Sequence, residues 1–112
     1  MINYHNRKFR PIHNDSEGDV DPTSIFHYYQ EGNIVTGTYS GKHIHFGHLI
    51  ALVQEDGSLR MRYHHVDDKG ELKTGKCKSK PEIMPNGKIK LHEEWQWTCG
   101  DESRGSSIVI EV

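Results

Sequence analysis

What most constrains this chain is the rhythm of its turns. The stretches EGN (31–33), YSGK (39–42), QEDGS (54–58), DDKGE (67–71) and MPNGK (84–88) each hold a glycine at a point of reversal, and TCGDESRGS (98–106) adds a longer loop. No window shows the apolar i, i+3, i+4, i+7 stripe of an amphipathic helix, whereas β-rich alternation is common. The predicted strands cover 7–11, 24–31, 33–40, 43–54, 58–66, 71–84, 87–98 and 106–112. Connections this short pair each strand antiparallel with the next. Eight strands in meander order close most simply into an up-and-down barrel, which has no open edge. The expected fold is therefore all-β, an eight-stranded antiparallel barrel forming a single domain over 1–112. The one long connection, PIHNDSEGDVDPTS (11–24), is polar and is the candidate lid.

The turns also set a register. MPNGK suits a type I turn with Pro85 at its second position and Gly87 in the left-handed bulge. Met84 then pairs with Lys88, Ile83 with Ile89, Ser79 with Glu93, Cys77 with Trp95 and Gly75 with Trp97. DDKGE places Tyr63 beside Gly75 and Met61 beside Cys77. Small residues thus face large ones on a common inward side. The outward side sets Lys76, Lys78 and Lys80 against Gln96, Glu94 and His92, a solvated face with opposite charges paired. Carried through the 98–107 loop, the same logic sets Ile108 and Ile110 beside Trp97 and Trp95.

In LHEEWQWT (91–98), Glu94 is outward and Glu93 inward, between Leu91 and Trp95. A buried carboxylate is costly unless it is paired or protonated. Glu93 is read as a polar anchor in a cavity walled by Tyr63, Trp95 and Trp97, with Tyr39 and His65 behind them; the alternative is a glutamate that reaches water at a barrel end. Tyr and Trp supply stacking surface, and the carboxylate would hold a donor or a cation.

The nine histidines add less. His43 and His45, in GKHIHFGH, could chelate a metal, but a zinc or iron site needs a third protein ligand, and Leu49 and Ile50 stand where a carboxylate would follow. Pairing through the turns puts His45, Thr36 and His27 in one outward row. His65 shares the inward face with Tyr63, Met61 and Leu59, and His48 could join it. No nucleophile accompanies them, so no catalytic residue, metal or cofactor is assigned. Cys77 and Cys99 are too far apart in this register for a disulfide.

Composition excludes several partners. With 14 Lys+Arg against 16 Asp+Glu, the chain is not a general electrostatic binder of nucleic acid. No apolar run is long enough to span a bilayer, and MINYHNRKFRP has no signal-peptide core, so a cytoplasmic protein is expected. The strand FGHLIALV (46–53) is apolar on both faces, so either the N-terminal segment or a second subunit, in a homodimer, is expected to cover it.

The segments FHYYQEGNIVTGTYSG, GHLIALV, MRYHHVDDKGEL and PEIMPNGKIKLHEEWQWTCGD resemble a family of small bacterial proteins over nearly the whole chain. Members sometimes carry the label N-acetylglutamate synthase, which would imply acetyl transfer from acetyl-CoA. The sequence offers neither the helix nor the glycine-rich turn on which the usual acetyltransferases hold the pyrophosphate, so no catalytic residue is carried over. The overall pattern is also similar to streptavidin-like and lipocalin-like barrels, without a biotin or retinoid signature. The function expected from the residues is binding of a small, partly apolar ligand in or at the mouth of the barrel. Acetyl transfer and a non-catalytic oligomeric module stand as alternatives.

Overall fold

A computed structural model describes residues 2–15 and 18–112. Its strands are β1 (Arg7–Asn14), β2 (Ile25–Glu31), β3 (Ile34–Gly41), β4 (Ile44–Val53), β5 (Leu59–Asp67), β6 (Leu72–Ile83), β7 (Ile89–Trp97) and β8 (Arg104–Glu111). Each pairs antiparallel with its neighbour, and β1 pairs with β8, so the barrel is closed. No helix among the described residues is long and apolar enough to cross a membrane.

The expected inward face is the observed one over β5, β6 and β7. Tyr63 lies opposite Gly75, Met61 opposite Cys77, Cys77 opposite Trp95, and Ser79 opposite Glu93. Gly57, Gly70 and Gly87 adopt the positive φ that their tight turns require. Two further glycines serve a different purpose. A Cβ on Gly75 would collide with the Tyr63 ring, and one on Gly105 with the Trp95 indole. Both rings lie flat on the wall because the residue opposite has no side chain.

Two expected registers and one expected charge pairing are corrected. Ile108 and Ile110 do not stand beside Trp97 and Trp95; they pair with His92 and Lys90 on the outer face. The β7–β8 loop closes early, with the Trp97 amide bonded to the Ser103 carbonyl at 2.9 Å. Gly105 is thereby set under Trp95, Ser107 against Glu93 and Val109 against Leu91. At the other turn Gly41 does not have a positive φ; it pairs with Ile44, and the register shifts on both strands, leaving His45 in a bulge. The outward row is therefore His27, Thr38, His48 and His64 rather than one through His45 and Thr36. His48 is accordingly not inward, and its ring stacks near that of His64 at 5.8 Å. The third correction concerns charge. Lys78 and Glu94 are opposite in register, yet they make no ion pair among the described residues.

The barrel is plugged at one end. Tyr4 is fully buried, and its hydroxyl donates to the Gly57 carbonyl at 2.6 Å. Phe9, Val35, Leu59, Ile89, Leu91 and Val109 complete a solid core there. The N-terminal segment thus seals an end and leaves the outer face of β4 uncovered, where Phe46 is 55% and Ile50 52% exposed.

The glycine contacts give a direct test. Gly75→Ala forces a methyl into the Tyr63 ring, and overpacking of this kind costs about 1–3 kcal/mol. Denaturant unfolding should show the midpoint falling by that amount with an unchanged slope. An Ala variant as stable as the parent would mean that the ring is free to move.

Candidate functional site

The opposite end of the barrel is not filled. A cavity of about 50 Å³ lies there, and all six residues expected from the sequence line it: Tyr39, Tyr63, His65, Glu93, Trp95 and Trp97. The inward positions of β3, β5 and β7 bring them together. The three rings of Tyr63, Trp97 and Trp95 follow one another at 5.8 Å and 5.9 Å between centroids. Sequence reasoning missed Tyr28, whose place on the inward side of β2 was legible from the alternation of FHYYQE, and Ser107, which the mistaken β8 register hid.

Glu93 sits between two hydroxyls. Ser79 Oγ donates to its Oε2 and Ser107 Oγ to its Oε1, each at 3.0 Å. Glu93 is half-buried and lines the cavity. Burial pushes its carboxyl above the ordinary glutamate range, and the Ser107 and Ser79 hydroxyls pull it only partly back. Tyr28, Tyr63 and Cys77 stand around it, and burial raises all three.

The mouth has a different chemistry. The Tyr39 hydroxyl lies 3.0 Å from His65 Nδ1 and within 3.3 Å of the His64 carbonyl, and His65 Nε2 donates to Asp19 Oδ2 at 2.9 Å. Burial among these partners favours the neutral imidazole, with its proton on Nε2 facing the carboxylate. Burial holds its pKa down, and the Asp19 hydrogen bond offsets part of that. Lys73 Nζ meets Asp19 Oδ2 at 3.0 Å and Asp67 Oδ2 at 3.3 Å, and it lies 5.4 Å from the centre of the Trp97 ring. Asp19 therefore latches the β1–β2 connection across the mouth, where Asn14, Gly18 and Val20 also line the cavity. Ser16 and Glu17 of that expected lid lie outside the described residues.

The His43 and His45 side chains, weighed above for metal chelation, meet different surroundings. His43 takes Asp68 at 3.0 Å on Nδ1 and Asp21 at 3.5 Å on Nε2, and His45 is exposed in the bulge. Cys77 and Cys99 are both free thiols.

The protein is a closed eight-stranded up-and-down β-barrel with a cavity at one end, lined by aromatic rings and by the carboxylates of Asp19 and Glu93. The chain matches the family described as avidin-like protein over residues 2–112, and so it belongs to the avidin-like family. No curated protein and no solved structure matches it significantly.

The Glu93 carboxyl sets a pH dependence. Its folded-state pKa is raised, so the unfolded chain ionises first as pH rises. The stability that Glu93 contributes is full below the ordinary glutamate range and is lost as pH climbs through the raised value. Glu93→Gln keeps the shape and removes the titration. Thermal unfolding of Glu93→Gln should match the parent near about pH 4 and exceed it by roughly 2–5 °C near about pH 8. A difference independent of pH would show that the carboxyl titrates as it would in water.

Proposed function

We propose that this protein binds a small, partly apolar ligand whose head group enters the cavity beside Glu93. One observation carries the reading: Tyr39, Tyr63, His65, Glu93, Trp95 and Trp97 converge from separate strands on one hollow instead of filling it. An aromatic-walled barrel end in which a carboxylate has no cation partner among the described residues has not been optimised for packing alone. The hollow is far below the roughly 300–1,000 Å³ of sites that enclose a drug-sized ligand. Only a head group fits inside, and the rest of the ligand would pass through the mouth under the β1–β2 connection. Acetyl-CoA is far too large for that interior, which counts against acetyl transfer within the barrel. Free thiols at both cysteines fit a cytoplasmic protein.

A thermal-shift panel of small metabolites, biotin, acetyl-CoA with glutamate and divalent metals tests the reading. A ligand at about 100 times its dissociation constant adds roughly 2.7 kcal/mol of stability. The expected result is a raised midpoint for at least one organic compound, lost in Glu93→Gln. No shift for any compound would leave Glu93 a structural residue and remove the reading.

The outer face supports a second proposal, a homodimer. Ile34, Leu52 and Ile50 are exposed and adjacent across β3 and β4, and Tyr29 extends the patch onto β2. Contiguous exposed apolar side chains of this kind favour burial against a second copy. Sedimentation should find a dimer that Ile50→Lys converts to monomer; a parent chain that stays monomeric at high concentration would exclude it.

A further inference from the structure

The interior site has a charge balance that narrows its ligand. Two carboxylates line the cavity, Asp19 and Glu93. Asp19 is satisfied by Lys73 and by the His65 N–H. Glu93 has no cation within ion-pair distance among the described residues, and its only donors are two neutral hydroxyls. Each of its oxygens accepts one hydrogen bond, which leaves acceptor capacity on both.

The tyrosines point the same way. The hydroxyls of Tyr28 and Tyr63 have no hydrogen-bond partner among the described residues. Every sealed side-chain oxygen or nitrogen among those residues does have one. Tyr28 is only 1% exposed and lines the cavity, so the little surface it keeps lies at its hydroxyl, open to the hollow. The interior thus offers two carboxylate oxygens, two phenol hydroxyls and the faces of Trp95 and Trp97.

Size limits what can use them. A volume of about 50 Å³ holds roughly four water-sized groups. A planar cation of four heavy atoms meets each requirement. It supplies charge to Glu93, several N–H donors to the carboxylate and phenol oxygens, and a flat face to the aromatic rings.

Resting on the small-ligand reading above, we propose that the interior site is specific for a guanidinium or amidinium group, with Glu93 as its counter-ion and Tyr28, Tyr63, Trp95 and Trp97 as its walls. In the empty site the Glu93 carboxyl keeps a proton to higher pH than an exposed glutamate. The arriving cation favours the ionised form, so binding expels that proton to solvent and the carboxylate takes the N–H donors. The titratable groups facing Glu93 are Tyr28 from β2, Tyr63 from β5 and Cys77 from β6, all raised by burial and neutral in the working range. His65 and Asp19 belong to the bonded cluster at the mouth.

Guanidinium and urea share shape and size and differ in charge, so they make a matched pair of probes. Indole fluorescence and the thermal midpoint are read during titration with millimolar guanidinium, methylguanidinium or urea. A four-atom ligand binds no tighter than roughly tens of micromolar, so this range covers the site. The expected result is saturable quenching and a raised midpoint with both cations, at least about tenfold weaker binding of urea, and loss of the cation effect in Glu93→Gln. In the parent protein the affinity for guanidinium should also rise with pH through the Glu93 titration and then level off. This second measurement needs no variant and stands even if Glu93→Gln folds poorly. Equal binding of urea and guanidinium, or a flat pH profile, would overturn the cation assignment. If a neutral compound from the wider panel binds while guanidinium does not, the assignment falls and the interior site stands. If nothing binds, both fall.

Discussion

The site depends on aromatic rings laid against glycines. A barrel of eight strands has an interior just wide enough for its own side chains to fill. Tyr63 over Gly75, Trp95 over Gly105 and Tyr39 over Gly47 keep three large rings close to the wall. Had those three positions carried ordinary side chains, the rings would be pushed to the axis and the end near the mouth would be as solid as the end sealed by Tyr4. The hollow follows from three missing Cβ atoms more than from any shortage of apolar volume.

The two ends of that hollow handle charge in opposite ways. At the mouth, Asp19, Lys73, Asp67 and His65 form a closed set in which each group has a partner. Asp19 is the member of the set that comes from the β1–β2 connection, so the set acts as a clasp on it. Deeper in, the donors to Glu93 among the described residues are two hydroxyls. A glutamine there could also accept from both serines without the cost of a buried charge. Retaining the carboxylate therefore sacrifices stability for acceptor strength and for the option of negative charge, the usual mark of a group that meets something other than the protein.

Much of this was legible in the sequence, for local reasons. The hairpins of β5, β6 and β7 are joined by tight glycine turns, and such turns fix register outright, so Glu93, Trp95, Trp97 and Tyr63 could be assigned to one face. Register failed where the chain departs from the tight turn. Gly41 looks like another turn glycine, but its φ is not positive; glycine is needed there because a Cβ would strike Ser24. The bulge that follows is invisible to period-two counting. At β8 the apolar preference of Ile108 and Ile110 misled; the inward positions belong to Gly105, Ser107 and Val109, which fit what Trp95, Glu93 and Leu91 need opposite them. The Asp19 clasp was beyond reach for another reason. It joins residues 46 and 54 positions apart through a loop whose path no local pattern specifies.

The clasp and the cavity are coupled through Trp97. Its ring touches His65 at 5.6 Å on one side and Trp95 at 5.9 Å on the other, and the Lys73 ammonium lies near its face. A head group that displaced Trp97 would disturb Lys73 and His65 together, and with them both of Asp19's partners. Conversely, while Asp19 is held, Trp97 is held, and the hollow keeps its small volume. Asp19 thereby ties the β1–β2 connection to the two side chains that flank the Trp97 indole, although that connection contributes no aromatic side chain to the wall.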